Sequence, residues 1–210
     1  ISAPVRIGDI NGYQLDDLVA FDNGKLTVAK STPQGYQTEV WGAWPAQRTW
    51  RHVRIGDIDG DGLADLVGRA DGEWYAARST GTQFTTGVWG NWSEAANWAD
   101  VQLGDVTGDG LDDIVGRTRS GKWWVARSTG SEFANELWAS WTPRVRWLDV
   151  NLADVSGDGR LDLVSRTGNG SIWVAESTGT SFDTRRWHTW SNTASWEDVM
   201  IADVDGDDID

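Results

Sequence analysis

The chain has 210 residues, no Cys, a formal net charge of −14, and 16 Trp against 4 Phe and 3 Tyr. The missing thiols exclude a disulfide framework, thiolate zinc sites and Cys nucleophiles, and the acidity argues against nucleic acid and anionic membranes as partners. No apolar run approaches the roughly 20 residues of a membrane span, so membrane insertion is not expected. The start, Ile1-Ser2-Ala3-Pro4, lacks a basic region and an apolar signal core, which reads as a mature terminus or a position inside a longer protein.

In chain order, a worn Asp/Gly motif begins at Gly8 and full copies follow at Gly56-Asp57-Ile58-Asp59-Gly60-Asp61-Gly62, Gly104-Asp105-Val106-Thr107-Gly108-Asp109-Gly110 and Ala153-Asp154-Val155-Ser156-Gly157-Asp158-Gly159, with another from Ala202. The leading residues Asp9, Asp57, Asp105, Asp154 and Asp203 step by 48, 48, 49 and 49. An aromatic track (Tyr36, Phe84, Phe133, Phe182) and three Trp tracks (Trp41, Trp89, Trp138, Trp187; Trp44, Trp92, Trp141, Trp190; Trp50, Trp98, Trp147, Trp196) keep the same step. Several tracks in one register mean a copied structural unit. The repeats run near 5–52, 53–100, 101–149 and 150–198, with a partial fifth at 199–210, all within one domain, 1–210.

Each unit reads as four strands. In the second, Val53–Gly56 is a short apolar run before the Asp loop, and Asp65–Arg69 follows it. Asp71-Gly72 is a hairpin signal, Trp74–Ser79 is the third strand, and a fourth lies between Phe84 and Trp89. No segment shows a helical period. The expected fold is all-β: a β-propeller of four-stranded blades, about 48 residues per blade.

The pattern Asp-x-Asp-Gly-Asp-Gly-x-x-Asp-Leu-Val resembles the FG-GAP/VCBS repeats, which also build the propeller of integrin α-subunits. The Trp-rich spacer resembles bacterial members more than integrins. The resemblance implies a seven- or eight-bladed ring with calcium in the loop between the first two strands of a blade. Four units and one extra strand do not close neatly, so a second chain or the rest of a longer chain is expected to complete the ring.

The loops suit Ca²⁺, a hard cation that takes six to eight oxygens at about 2.3–2.6 Å. Asp57, Asp59, Asp61 and Asp65 stand at positions 1, 3, 5 and 9, with the Leu63 carbonyl at position 7. The third loop offers Asp105, Thr107, Asp109, Leu111 and Asp113; the fourth offers Asp154, Ser156, Asp158, Arg160 and Asp162; the fifth begins with Asp203, Asp205 and Asp207. In the first, Asp9, Asn11 and Asp17 remain, but Tyr13 takes position 5. Position 12 lacks the Glu of an EF-hand, and a strand follows instead of a helix. By carboxylate count, loop two should bind best, loops three and four less well, and loop one weakly or not at all.

Trp41, Trp89, Trp138 and Trp187, and the Trp50 series, are expected to pack between blades. Trp74, Trp123, Trp124 and Trp173 alternate along a strand, so some should face a neighbouring blade. Trp44, Trp92, Trp141 and Trp190 fall in a loop-like stretch and are expected to be exposed as a repeated glycan site. Arg69, Arg117 and Arg166 are expected to pair with carboxylates. His52 and His188 share no repeat position, and His52 stands where other units have Asp100, Asp149 and Asp198. No catalytic constellation emerges, so the chain is expected to be no enzyme. The reading is a secreted or cell-surface, calcium-stabilised module binding a glycan or an extracellular protein. A protein–protein platform and an accessory domain of a secreted hydrolase are the alternatives.

Overall fold

The computed structural model describes residues 5–194, 196, 199–206 and 209–210. It contains four antiparallel four-stranded sheets, each built from consecutive strands. The first holds β1 (Val5–Gly8), β2 (Asp17–Asp22), β3 (Lys25–Thr32) and β4 (Gly35–Ala43), and the second β5 (Arg51–Gly56), β6 (Asp65–Ala70), β7 (Glu73–Ser79) and β8 (Phe84–Asn91). The third holds β9 (Ala99–Gly104), β10 (Asp113–Arg117), β11 (Lys122–Ser128) and β12 (Phe133–Ser140), and the fourth β13 (Trp147–Ala153), β14 (Asp162–Thr167), β15 (Ser171–Ser177) and β16 (Phe182–Thr189). These are propeller-like blades, and the strands fall where the spacing of Asp loops and hairpin turns puts them. The chain forms two compact units, Ile1–Ala95 with Ser128–Ala134, and Ala96–Arg127 with Asn135–Asp210. No helix among the described residues is long and apolar enough to cross a membrane.

Inside each unit the packing repeats. The apolar faces of β2 and β3 bury Val19, Leu26 and Val28, and those of β6 and β7 bury Leu66, Val67 and Trp74. The two predicted aromatic tracks meet edge to face: Trp41 on Phe84 at 5.6 Å, Trp89 on Phe133 at 5.4 Å and Trp138 on Phe182 at 5.0 Å. Quadrupole complementarity favours such contacts over simple stacking. Trp187 departs from its track and is 43% exposed.

A serine at the end of each third strand ties one loop to the next blade. Ser79 Oγ donates to the Ile10 carbonyl at 2.5 Å, Ser128 Oγ to Ile58 at 2.6 Å, and Ser177 Oγ to Val106. The second residue of an Asp loop thus finds a partner for a carbonyl that would otherwise be buried without one.

The first strand of the later blades carries a bulge. Pairing slips between Arg51 and Arg54, between Val115 and Arg117 of the β9–β10 pair, and between Leu148 and Asn151. His52, Asp100 and Asp149 take left-handed φ values of 52°, 51° and 51°. The bulge aims Asp100 at Arg117, whose Nε and Nη2 approach one carboxylate oxygen at 2.8 and 2.6 Å. Asp149 and Arg166 repeat the pair at 2.8 and 2.6 Å. The expectation that this Arg track pairs with carboxylates therefore holds.

In the second blade His52 replaces the Asp. Arg69 turns instead to Glu94 at 2.8 Å and to the Trp92 carbonyl at 3.0 Å, and its buried Nε is left without an acceptor. His52 itself is driven down to about 4, first by burial and then by Arg54, Arg69 and Arg51. The folded state thus holds this imidazole neutral. As pH falls from about 6.5, the unfolded chain gains a proton that the folded chain refuses until about 4, so stability is lost across that window. His52→Asp would restore the bulge pair and give Arg69 Nε its acceptor. A buried donor without a partner costs about 1–3 kcal/mol. Thermal melts should therefore show His52→Asp more stable than the wild type at pH 7, with the gap widening towards pH 4.5. Equal melting temperatures at both pH values would show that Glu94 already satisfies Arg69.

Candidate functional site

Each Asp loop is shaped by its first side chain. Asp57 accepts from the Gly60 and Gly62 amides at 2.7 and 2.8 Å, Asp105 from Gly108 and Gly110 at 2.7 and 2.8 Å, and Asp154 from Gly157 and Gly159 at 2.8 and 2.7 Å. Asp9 does the same with Gly12 and Gln14 at 2.8 and 2.7 Å. Gly60 and Gly62 sit at φ 78° and 82°, which an L side chain adopts only at a cost. In the first loop Gln14 holds that second left-handed position at φ 59°. The loop fold therefore survives the loss of Asp at position 5, where Tyr13 is 76% exposed.

The position-5 residues Asp61, Asp109 and Asp158 accept from the amides of Leu63, Leu111 and Arg160 at 2.9, 3.0 and 3.0 Å. The position-9 residues Asp17, Asp65, Asp113 and Asp162 are fully buried. Thr107 donates to Asp105 and Ser156 to Asp154, at 3.2 and 3.4 Å. Asn11 accepts from the Tyr13 amide at 3.0 Å. In the fifth loop Asp203 accepts from the Asp205 and Gly206 amides at 3.1 and 2.7 Å. Asp207 lies outside the described residues.

The second loop concentrates charge. Asp57, Asp59 and Asp61 each bring one oxygen within 4.8 Å of the others. Asp59 Oδ2 meets Arg78 at 3.1 Å, while its Oδ1 is buried with no hydrogen-bond partner. Burial pushes Asp65 up to about 8, and Asp59 and Asp61 add to that shift against the amides of Ser79 and Ile58. Burial also raises Asp61, helped by Asp59 and Asp57. An orphaned buried oxygen among crowded carboxylates is a donor set that a hard divalent cation fits. The fourth loop differs from the third: the Arg160 guanidinium pairs with Asp158, so a built-in cation already occupies part of that carboxylate. In the same loop Asp162 is raised by burial, and its Oδ2 lacks a partner.

The tryptophans correct the sequence reading. Trp44, Trp92 and Trp141 are buried, at 3%, 4% and 5% exposure, not exposed as expected. The loop-like stretch folds back: the Trp44, Trp92, Trp141 and Trp190 amides donate to the carbonyls of Gly24, Gly72, Gly121 and Gly170 at 2.7–2.8 Å. This anchors each Trp backbone to its own sheet, while the Trp44 and Trp141 indoles reach the following blade, against Gly68 and Thr184. The Trp50 series, expected to be core, lies further out: Trp50, Trp98 and Trp147 are half-buried and Trp196 is exposed. Trp50 stacks on Trp44 at 4.5 Å, while Trp147 lies tilted against Trp141 at 4.3 Å and Trp196 against Trp190 at 4.9 Å. Trp74 and Trp123 are fully buried, while their strand neighbours Tyr75 and Trp124 turn to the opposite face.

In the second unit this arrangement leaves a cavity of about 550 Å³. Trp141, Trp147 and Trp173 wall it, with Trp147 edge-on to Trp173 at 5.9 Å. Thr142, Asn169, Ser171, Thr184, Arg146 and Arg186 supply polar groups, and Trp141 Nε1 donates to Thr184 Oγ1 at 3.0 Å. A volume of this size, with aromatic walls and few polar groups, is typical of small-ligand sites. Of the predicted tryptophans only Trp141 reaches it; Trp190 borders a smaller cavity of about 250 Å³. Sequence reasoning missed Arg146 and Arg186. Their signal was a break in the repeat: Arg186 follows Val40, Val88 and Leu137 in register, and Arg146 follows Thr49 and Asn97.

The fold and the loops define a Trp-rich protein of propeller-like blades with Asp-lined inter-strand turns. The FG-GAP-like repeat matches residues 9–68, 57–116 and 105–165, and the chain belongs to that family. A lectin from Agrocybe aegerita, solved for its specific recognition of non-reducing terminal N-acetylglucosamine, shares the fold at a TM-score of 0.70 and 22% identity, over 88% of this chain and 52% of that one. The WD40 domain of SCAP from fission yeast shares it at a TM-score of 0.54 and 12% identity, over 88% and 44%. The chain thus spans about half the length of these solved structures. No curated protein sequence matches it.

Proposed function

We propose that the chain is a calcium-stabilised carbohydrate-binding module, secreted or displayed at the cell surface, that binds its ligand without transforming it. The observation that carries the reading is the cavity walled by Trp141, Trp147 and Trp173 and edged by Asn169, Ser171 and Thr184. Indole faces offer flat apolar surface to the C–H face of a pyranose, while the amide and hydroxyls meet its hydroxyl groups. The likeness to a lectin that recognises a terminal sugar supports the same reading. The half-length span of the solved structures supports a larger ring in which these blades are a part.

Calcium is proposed for the Asp loops, held in loop two by Asp57, Asp59, Asp61 and Asp65 with the Leu63 carbonyl. The ion would neutralise carboxylates that now crowd one another. Millimolar calcium outside cells would keep such loops filled, in keeping with export. The Arg160–Asp158 pair sets loop four below loop three, which refines the ranking from carboxylate count alone.

Two outcomes are expected. Trp147→Ala and Trp173→Ala should each abolish binding on a glycan array while the melting temperature falls only slightly, since both side chains are partly exposed. Binding that survives both changes would move the site elsewhere. Chelation with EDTA should lower the melting temperature, and Ca²⁺ but not Mg²⁺ should restore it, because Mg²⁺ needs a tighter octahedral cage. Each filled site contributes about 2.7 kcal/mol at a hundredfold excess over Kd. Asp61→Ala should erase more of the calcium-dependent gain than Asp158→Ala. A melting temperature indifferent to metal removal would make these loops ordinary turns.

A further inference from the structure

We propose that the cavity of the second unit selects an acidic saccharide, a uronic-acid-containing chain, whose carboxylate is taken by Arg146 and Arg186. The inference rests on the glycan reading of the same cavity. It comes from comparing that cavity with the matching aromatic cluster of the first unit.

In the first unit Trp44, Trp50 and Tyr75 correspond to Trp141, Trp147 and Trp173. Arg48 lies over the Tyr75 ring at 5.1 Å. Its charge is already matched: Arg48 meets Glu73 at 2.6 Å and Asp71 at 3.5 Å, and Tyr75 donates to the same Glu73 at 2.9 Å. Phe21 closes that cluster, 5.3 Å from Trp44 and 5.5 Å from Trp50. It is a packed corner whose one guanidinium is matched by two carboxylates.

The second unit reverses the charged part of this arrangement. Asn169 and Ser171 stand where Asp71 and Glu73 stood, so both carboxylates are gone. Val145 takes the place of Arg48. Arg146 enters at a position that holds Thr, Asn or Ser in the other repeats, and Arg186 at one that holds Val or Leu. Arg186 lies directly across the β15–β16 ladder from Trp173, which sets its guanidinium stem beside the aromatic wall. No carboxylate lines the cavity among the described residues. The neighbouring Arg185, by contrast, pairs with Glu176.

In a chain of net charge −14, a cavity that swaps two carboxylates for neutral groups and one guanidinium for two is matched to an anion. Guanidinium forks bind carboxylates bidentately. An indole wall beside them asks for a flat apolar ring on the same molecule. A sugar ring carrying a carboxylate meets both demands.

The test compares a galacturonic-acid trisaccharide with its carboxyl-reduced counterpart, which differs only at C6, by calorimetric titration of the whole chain. The wild type should prefer the acidic ligand by about tenfold or more, the scale of one charge-assisted pair. Raising NaCl from about 50 to about 500 mM should erode that preference but leave the neutral ligand's affinity in place. Arg146→Asn with Arg186→Leu, which returns both positions to residues of other repeats, should bring the ratio to about one. Should the double variant melt early, the salt series on the wild type alone decides the matter. Equal binding of both ligands, insensitive to salt, would overturn the acidic preference and leave the glycan reading standing. Absence of binding to either trisaccharide, or to any glycan on an array, would overturn both.

Discussion

Each blade depends on one buried carboxylate. Asp17, Asp65, Asp113 and Asp162 open the second strand of their sheets with no solvent exposure. Asp65 accepts from the Ile58 amide in its own loop at 3.3 Å and from the Ser79 amide at the end of the third strand at 2.6 Å. Asp17 repeats this with Ile10 and Ser31 at 3.4 and 2.7 Å. The group therefore fastens the loop to the third strand, and Ser79, which it positions, reaches back to the preceding loop. A buried carboxylate is expensive unless its lone pairs are met, so this residue, its two amides and the serine form a unit that cannot drift separately. The copied motif preserves that unit. It also leaves further carboxylates on the loop side of the same knot, so one short stretch of sequence that serves folding also carries the groups to which calcium is proposed to bind.

Much of this was legible in the sequence because the constraint is local. An Asp eight residues after another, with glycines between, specifies a turn of fixed shape, and Asp65 or Asp162 then marks the start of a strand. The alternation of β7 is likewise visible, since Trp74 and Tyr75 must face opposite sides. The Trp44 and Trp50 series could not be assigned in this way. Both lie between strands, where no period tells inside from outside. Their burial follows from one backbone bond, such as the Trp44 amide to the Gly24 carbonyl at 2.8 Å, which draws the first indole inward and leaves the second stacked against it. Gly24 accepts that approach because a Cβ there would fall 2.6 Å from the Trp44 carbonyl oxygen. The glycine is plain in the sequence; the partner 20 residues away is not.

Divergence between repeats carries the information that the repeat itself withholds. His52 in place of Asp leaves Arg69 to find Glu94, a local repair that keeps a buried guanidinium partnered. Phe21 in place of Arg at the corresponding position in the first blade fills an aromatic corner instead. Arg146 and Arg186 belong to a third kind of departure, in which charge is added to a cavity that no carboxylate lines among the described residues. The first two changes are met within the protein, the first only in part, since Arg69 Nε keeps no acceptor. The third is not, and an uncompensated pair beside an aromatic wall is the arrangement expected where the missing partner is a ligand.

Net acidity does not oppose an anionic ligand at that place. The cavity gathers residues at the start of β13, and the Asp loop follows the strand's far end. Seven residues from Trp147 to Ala153 separate them by roughly 20 Å at the usual rise per residue. The Debye length at physiological ionic strength is about 8 Å, so the loop carboxylates are screened from a ligand at the cavity, and more so once a divalent cation offsets them. The field that an incoming anion meets is then set by the nearest charges, and those are guanidiniums. Length of strand, in this view, is what lets one blade hold the proposed cation loop at one end and the proposed anion cavity at the other.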